Sequence, residues 1–148
     1  MTATATAIDV SYGHLTGCQV HFDDLDAMGI VHNARYAIML ERGLTAFWAT
    51  HGLDFAAGRP NSPDMFGAVR EFTISYLSPV IGTGEIALHF WIEHLGTTSA
   101  VYGFRFLSVD RTVVHAEGRR VVVKLDPGSL RPAPWTDRTR AIATSLAR

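Results

Sequence analysis

The second half of the sequence is an almost unbroken series of strand signals. Between Ala68 and Leu125, four segments alternate apolar and polar residues with the period of two that is typical of half-buried strands. Short turns at Gly82–Gly84 and Gly96–Thr98 separate some of them, so we expect neighbouring strands to run antiparallel. A further strand is predicted near the start of the chain, over about His14–Phe22. The pattern favours one large antiparallel sheet.

One long helix is predicted between the first strand and the others. The segment from Asn33 to His51 is rich in good helix formers, and Gly52 follows it as the type of residue that commonly ends a helix. Apolar residues cover much of the helix circumference, which is typical of a buried helix. A single sheet curled around this helix would bury all of these apolar faces. We therefore predict an α+β fold in which a long, curved antiparallel sheet wraps around one central helix.

Composition limits the class of protein. The 148 residues are 47% hydrophobic and carry a net charge of -1, which fits one globular domain over residues 1–148 and gives no general attraction to nucleic acid or anionic membranes. We expect residues 1–7 to be disordered and about 132–148 to form a C-terminal helical tail. No apolar run is long enough to cross a membrane. The first residues do not resemble a signal peptide and Cys18 is the only cysteine, which favours a cytoplasmic protein.

An acidic cluster precedes the predicted helix. Three aspartates occupy four positions between Asp23 and Asp26, directly before the apolar run Met28–Val31. Two of them, Asp23 and Asp24, are expected to be solvated turn residues or helix-entry caps. The placement of Asp26 between acidic neighbours and apolar residues indicates a chemical role, because a carboxylate partly shielded from water is a stronger base.

The order of elements resembles the hot-dog fold, and the acidic stretch resembles the acyl-CoA thioesterases of the 4-hydroxybenzoyl-CoA thioesterase-like family. The matching motif is Phe22–Val31, followed in the helix by a segment that includes Glu41–Gly43. Ser75–Glu85 is similar to that family's strand and the hairpin after it. The resemblance covers roughly Gly17 to Leu125 and implies hydrolysis of acyl thioesters.

The family resemblance also implies roles for individual residues. The second aspartate of the family's Asp-x-Asp pair is catalytic and corresponds to Asp26, as general base or as nucleophile. A backbone N–H at the helix start holds the thioester oxygen, which by motif position is the N–H of Asn33. His32 is the third candidate catalytic residue. The candidate substrate-binding residues are Met28, Gly29, Ile30, Tyr36, Met65 and Phe66. The last two belong to the irregular segment 52–67 and are expected to cover a pocket.

A thiolate leaves readily, so the predicted reaction needs no strong general acid. We also expect it to need no metal and no cofactor. The expected substrate is an acyl-CoA or an acyl-carrier-protein thioester, and the expected assembly is a homo-oligomer, a dimer or a tetramer of hot-dog dimers. An outer sheet face with Trp91, Leu107 and Val122 also indicates a subunit interface. Two other functions stay open at this stage. One is a hot-dog dehydratase or hydratase acting on acyl thioesters, and the other is a non-catalytic acyl-CoA-binding module.

Overall fold

The computed structural model describes residues 5–148, so the predicted disorder of residues 1–7 lies partly outside the described residues. The elements are β1 (His14–Val20), α1 (Arg35–Thr50), β2 (Gly67–Tyr76), β3 (Gly84–Leu95), β4 (Ser99–Leu107), β5 (Val114–Lys124) and α2 (Asp137–Thr144). Within the described part of the chain, no helix is long and apolar enough to cross a bilayer.

The five strands form one antiparallel sheet in the order β1-β3-β4-β5-β2. β2 therefore pairs with β5 at one edge, whereas β1 pairs with β3 at the other. The apolar face of α1 and the inward side chains of the sheet share a single hydrophobic core. This arrangement confirms the predicted α+β, hot-dog architecture.

α1 rests on the sheet through one face. Its buried side chains recur at intervals of three or four residues, as expected for a helix with one core-facing side. They are Tyr36, Met39, Leu40, Leu44 and Phe47. A Cβ at Gly43 would meet Cδ2 of Leu88 in close contact, so glycine lets the helix lie near β3 without a shift of the Leu88 side chain. Ile38 on the opposite side is 40% exposed. The prediction of a helix buried around much of its circumference is therefore wrong for the single chain.

The ends of β1 and α1 differ from the predicted ones. β1 ends at Val20, because Phe22–Asp24 fold into a turn of 3-10 helix. α1 begins at Arg35 with Ala34 in the capping position, and no side chain caps its first turn. Asn33 therefore lies before the helix and does not cap it.

The predicted outer face is only partly correct. Trp91 is 5% exposed, because the ring of Tyr12 from the N-terminal segment packs against it at 5.4 Å between centroids. Leu107 is fully buried. Val122 is paired with Ala100 and lines the interior between α1 and the sheet, so its predicted place on the outer face is wrong.

Candidate active site

Asp26 opens a tight turn between the 3-10 helix and α1. Its carbonyl oxygen accepts the N–H of Gly29 at 3.0 Å, and its own N–H donates to the carbonyl of Ile30 at 2.8 Å. Gly29 has a φ of +75°, in the left-handed region where an L side chain is strained. No described atom lies within 4 Å of where its Cβ would be. The turn therefore favours glycine at position 29, and the space beside Gly29 is open.

The Asp26 side chain is half-buried and held by the turn itself. Oδ1 accepts the N–H of Met28 at 2.8 Å and that of Ile30 at 3.4 Å. No hydrogen bond within residues 5–148 involves Oδ2. One carboxylate oxygen therefore fixes the orientation of the group, and the other is available to a water or a substrate.

The turn is fastened to the segment that leads into β3. The N–H of Val31 donates to the carbonyl of Val80 at 3.0 Å, and the N–H of Gly82 donates to the carbonyl of Gly29 at 2.8 Å. These bonds form a small antiparallel pairing on both sides of Ile30. They fix the position of the Asp26 turn relative to the segment that leads into β3.

The peptide groups that lead into α1 supply one free donor. The Asn33 carbonyl accepts the Tyr76 hydroxyl at 3.0 Å, and the Ala34 N–H donates to Nδ1 of His32 at 3.2 Å. The Arg35 N–H donates to the His32 carbonyl at 2.9 Å. No acceptor within residues 5–148 takes the N–H of Asn33. That N–H lies at the positive end of α1 and is open to a ligand.

Asp24 connects the 3-10 turn with α1. It is buried and so is not a solvated turn residue, but it caps the 3-10 turn, which was the other predicted alternative. Its side chain is only 1% exposed; Oδ2 accepts the N–H of His21 at 2.8 Å and Oδ1 accepts Nε of Arg35 at 3.0 Å. Burial raises the pKa of this carboxyl, but the His21 hydrogen bond and the Arg35 guanidinium outweigh burial and hold it below its usual range. The Asp24 carbonyl also accepts the N–H of His32 at 2.8 Å. Asp24 therefore joins the 3-10 turn to the first turn of α1.

A carboxylate and an open helix-start N–H on one short loop suit attack on a carbonyl group. A carbonyl oxygen bound at the Asn33 N–H would be polarised, and negative charge that develops there would be stabilised. Asp26 could then deliver a water or attack directly. Within residues 5–148 no hydrogen bond joins His32 to Asp26, because His32 is engaged with the start of α1.

The predicted substrate-binding residues do not lie together in one chain. Met28, Gly29 and Ile30 are on the Asp26 turn, where Met28 is 77% exposed. Tyr36 is buried in the core. Met65 lines a cavity farther along α1, and Phe66 is not among the residues that line it.

That cavity, which we call the inner cavity, lies between the C-terminal half of α1 and the sheet and has a volume of about 210 Å³. Apolar side chains form most of its wall. Among them are Leu44, Trp48, Leu53, Met65, Ile92 and Val122. Asp26 and Asn33 do not line it.

Polar pairs interrupt the apolar wall of the inner cavity, and one of them joins the Thr139 hydroxyl to the Asp64 carboxylate. Nη1 of Arg120 donates to the Glu41 carboxylate, and Nε1 of Trp48 donates to the Tyr102 hydroxyl at 3.0 Å. Burial raises the pKa of Tyr102 to about 12, so this hydroxyl stays protonated. The strand alternation of β5 places Arg120 on the same face as Val122. Val122 was predicted to lie on the outer face, so the same parity would have placed Arg120 there as well, and Arg120 was missed as an inward-facing residue.

Cys18 is a poor nucleophile in this structure. The thiol is partly buried on β1, and burial, with the negative charge of Asp24, raises its pKa to about 11. A thiol with such a pKa is almost entirely protonated at neutral pH. Cys18 packs against the hydrophobic core as a partly buried side chain.

Comparison with known proteins identifies the class that this fold and site define. The model of the thioesterase superfamily matches residues 28–115, which is more than half of the chain. The chain belongs to this superfamily, and it is a thioester hydrolase of hot-dog fold. The matched segment begins two residues after Asp26, so the match itself does not cover that residue.

Individual relatives agree with this family. The chain is 26% identical over 114 residues to the acyl-CoA thioester hydrolase YbgC of Escherichia coli, covering 77% of this chain and 83% of the relative. A crystal structure of a Pseudomonas aeruginosa protein superposes with a TM-score of 0.81 at 23% identity, covering 92% of each chain. A Thermus thermophilus thioesterase solved with coenzyme A and zinc superposes with a TM-score of 0.69 at 23% identity, covering 89% of this chain and 92% of the other. At these identities the two structures are similar to this chain in fold.

Proposed function

We propose that this chain, as a single hot-dog domain, hydrolyses acyl-CoA thioesters to a free acid and coenzyme A. The observation that carries the proposal is that the loop before α1 holds both the Asp26 carboxylate, fixed by the Met28 N–H, and the Asn33 N–H, for which residues 5–148 offer no acceptor. The name of the Escherichia coli relative and the coenzyme A in the Thermus thermophilus structure support the choice of substrate class.

In the proposed mechanism the thioester oxygen accepts the Asn33 N–H. Asp26 either removes a proton from the attacking water or attacks the carbonyl carbon itself; in the second case water then hydrolyses the mixed anhydride, which releases the free acid and regenerates the Asp26 carboxylate. The negative charge that develops on the oxygen is stabilised by the Asn33 N–H and the positive end of α1. The thiolate of coenzyme A leaves without a strong general acid, so the mechanism needs no proton transfer from His32. The His32 side chain instead accepts the Ala34 N–H before α1.

The proposed assembly is a homo-oligomer that completes the site. β2 is an edge strand of ten residues, and most of its side chains are exposed in the single chain. An unpaired edge of this length offers a row of N–H and C=O groups to a second strand. Large apolar side chains are also exposed around the Asp26 turn, with Met28 at 77% and Ile81 at 79%. A second copy that pairs along β2 would cover such surface, and a light-scattering mass of one chain would contradict this.

The reaction is tested by following free thiol with a colour reagent while the purified protein is incubated with a panel of acyl-CoAs. We expect stoichiometric release of free acid and coenzyme A, identified by mass spectrometry. The same acyl groups are also tested as thioesters of a carrier protein. Faster thiol release from these would identify acyl-carrier-protein thioesters, and not acyl-CoAs, as the preferred substrates.

The other two functions predict different products. A dehydratase or hydratase would change the acyl chain by the mass of one water and release no thiol. A non-catalytic binding module would bind the acyl-CoA and leave it intact. Among residues 5–148, no hydrogen bond couples Asp26 to a histidine, so we rank the dehydratase or hydratase below hydrolysis. The Asp-x-Asp motif, with one Asp26 oxygen left available within the same residues, weighs against the binding module.

A further inference from the structure

Arg120 is a charged side chain on the wall of the inner cavity. It lies on β5 opposite Tyr102, on the face of the sheet that α1 covers, and its side chain is 12% exposed. Most of the surrounding wall is apolar. A guanidinium in such a place needs an acceptor for each N–H, because an unpaired buried donor loses the hydrogen bonds it made to water.

The guanidinium is only partly satisfied. Nη1 is paired with the Glu41 carboxylate, whose side chain is 57% exposed at the rim. Nε is buried and has no hydrogen-bond partner within residues 5–148. Because buried polar groups are almost always paired, this donor indicates a missing acceptor.

The size of the inner cavity suits part of a ligand. Its volume of about 210 Å³ exceeds the roughly 150 Å³ of an apolar cavity that holds one benzene. It is below the roughly 300 Å³ at which pockets for whole drug-sized molecules begin. An acyl chain of medium length fits this space, whereas coenzyme A does not.

α1 connects the inner cavity with the Asp26 turn. Glu41 lines the cavity, and Arg35 begins the helix next to the Asn33 peptide. The step of six residues from Arg35 to Glu41 corresponds to about 9 Å along the helix axis. A thioester held at the Asn33 N–H can therefore place the far end of its acyl chain at Arg120 if the chain follows α1.

We propose that the inner cavity binds the far end of the acyl group and that Arg120 selects acyl groups with a neutral oxygen, a hydroxyl or a ketone, at that end. The oxygen accepts the N–H that is unpaired in the free protein. A carboxylate at that end is disfavoured, because the Glu41 charge lies beside the guanidinium. The inference rests on the proposed hydrolysis of acyl-CoAs.

The test compares matched substrates. The ω-hydroxyhexanoyl, ω-hydroxyoctanoyl and ω-hydroxydecanoyl thioesters of coenzyme A are each measured beside the isostere in which a methyl group replaces the hydroxyl. Thiol release gives kcat and KM for the wild type, for Arg120→Lys and for Arg119→Lys. Lysine at position 120 keeps the charge for Glu41 but lacks the Nε–H. Arg119 is the matched control, because it pairs with Glu71 at the surface and lies on the other face of the sheet.

At one chain length, we expect kcat/KM of the wild type to be about tenfold higher for the hydroxylated substrate than for its methyl isostere. The difference should lie mainly in KM, because a hydrogen bond from a charged donor to the new acceptor strengthens binding. The ratio should fall towards one in Arg120→Lys and stay unchanged in Arg119→Lys. Brisk hydrolysis by the wild type with a ratio near one at every length would overturn the inference and leave the proposed function intact. If Arg120→Lys kept the wild-type preference for the hydroxylated substrate, or if the wild type preferred ω-carboxylates, the inference would also be overturned. No thiol release from any substrate would instead overturn the proposed function.

Discussion

Nε of Arg35 donates to the buried carboxylate of Asp24 at 3.0 Å, and this bond joins the loop that carries Asp26 to the first turn of α1. Asp24 touches neither of the groups proposed to contact the thioester. It fixes their relative position, because it bonds His21 on one side and Arg35 on the other.

Asp24→Asn should therefore destabilise the protein and slow the reaction together. Loss of a hydrogen bond between charged groups, one of them buried, is expected to lower the free energy of unfolding by about 2 kcal/mol. Denaturant unfolding measures this change, and kcat of thiol release measures the second effect. The matched control is Asp23→Asn, since Asp23 is exposed and lies 3.5 Å from Arg35. It should change stability by less than about 0.5 kcal/mol, and equal effects of the two substitutions would contradict the assigned role of Asp24.

A comparison of Gly29→Ala with Gly58→Ala should distinguish the effect of the Asp26 turn on kcat from a general loss of stability. Gly29 and Gly58 both have a φ of +75° and open space around the missing Cβ. Alanine at either position should therefore lower the free energy of unfolding by a similar amount, about 1 kcal/mol. Only Gly29→Ala should also reduce kcat, because only Gly29 belongs to the turn that orients Asp26. A similar kcat for the two variants would show that the turn tolerates the change.

A buried histidine makes stability depend on pH. His89 is fully buried; its Nε2 contacts the carbonyl of Tyr12 at 2.7 Å and its Nδ1 accepts from Arg105 at 3.0 Å. Burial has the largest effect and lowers the pKa of His89. The Tyr12 hydrogen bond raises it, the charge of Arg105 lowers it, and Asp9 and Arg148 have smaller, opposite effects, so the net pKa is below its usual value.

The neutral imidazole is thus favoured in the folded state, whereas in the unfolded chain it takes up a proton at about pH 6.5. Stability is complete above that pH and falls as the pH drops below it towards the lowered folded value. Unfolding free energies measured at several pH values should decline in this window. The decline should be shallower in His89→Gln and unchanged in His94→Gln, because His94 is exposed on the same strand. Equal slopes in all three proteins would contradict the assignment.

A second buried ion pair holds the C-terminal segment. Lys124 at the end of β5 is paired with the buried Asp64, which also accepts the hydroxyls of Thr136 and Thr139 at the start of α2. Asp64→Asn leaves a buried ammonium without its charge partner, so the free energy of unfolding should fall by about 3 kcal/mol. Lys124→Met should destabilise similarly, and the double variant by less than the sum, since both remove the same pair. Additive effects in denaturant unfolding would show that the two residues act independently.

Periodicity in the sequence was sufficient for the fold. A single antiparallel sheet around one helix buries the apolar faces of both the alternating segments after Ala68 and the helix before them. The observed sheet and helix have this arrangement. The motif around Asp26 likewise indicated the class of enzyme. Both signals are local or strictly periodic, so they are visible without knowledge of tertiary contacts.

Tertiary contacts account for what the sequence did not reveal. Asp24 resembles the exposed Asp23 in sequence, and only the position of Arg35, eleven residues later, makes it a buried bracing residue. Tyr76 holds the Asn33 carbonyl from 43 residues away, which no local pattern records. The pairing of Arg120 with Glu41 bridges 79 residues in the same way.

The most direct test of the central claim is the reaction of Asp26→Asn. Asparagine keeps an oxygen that can accept the Met28 N–H, so the turn should persist while the carboxylate is lost. The account predicts that kcat for acyl-CoA hydrolysis falls by at least about 100-fold, that the dissociation constant for the acyl-CoA is unchanged, and that Asp23→Asn keeps wild-type kcat. If Asp26→Asn hydrolyses the same acyl-CoA as fast as the wild type, Asp26 only shapes the turn and the proposed mechanism is wrong.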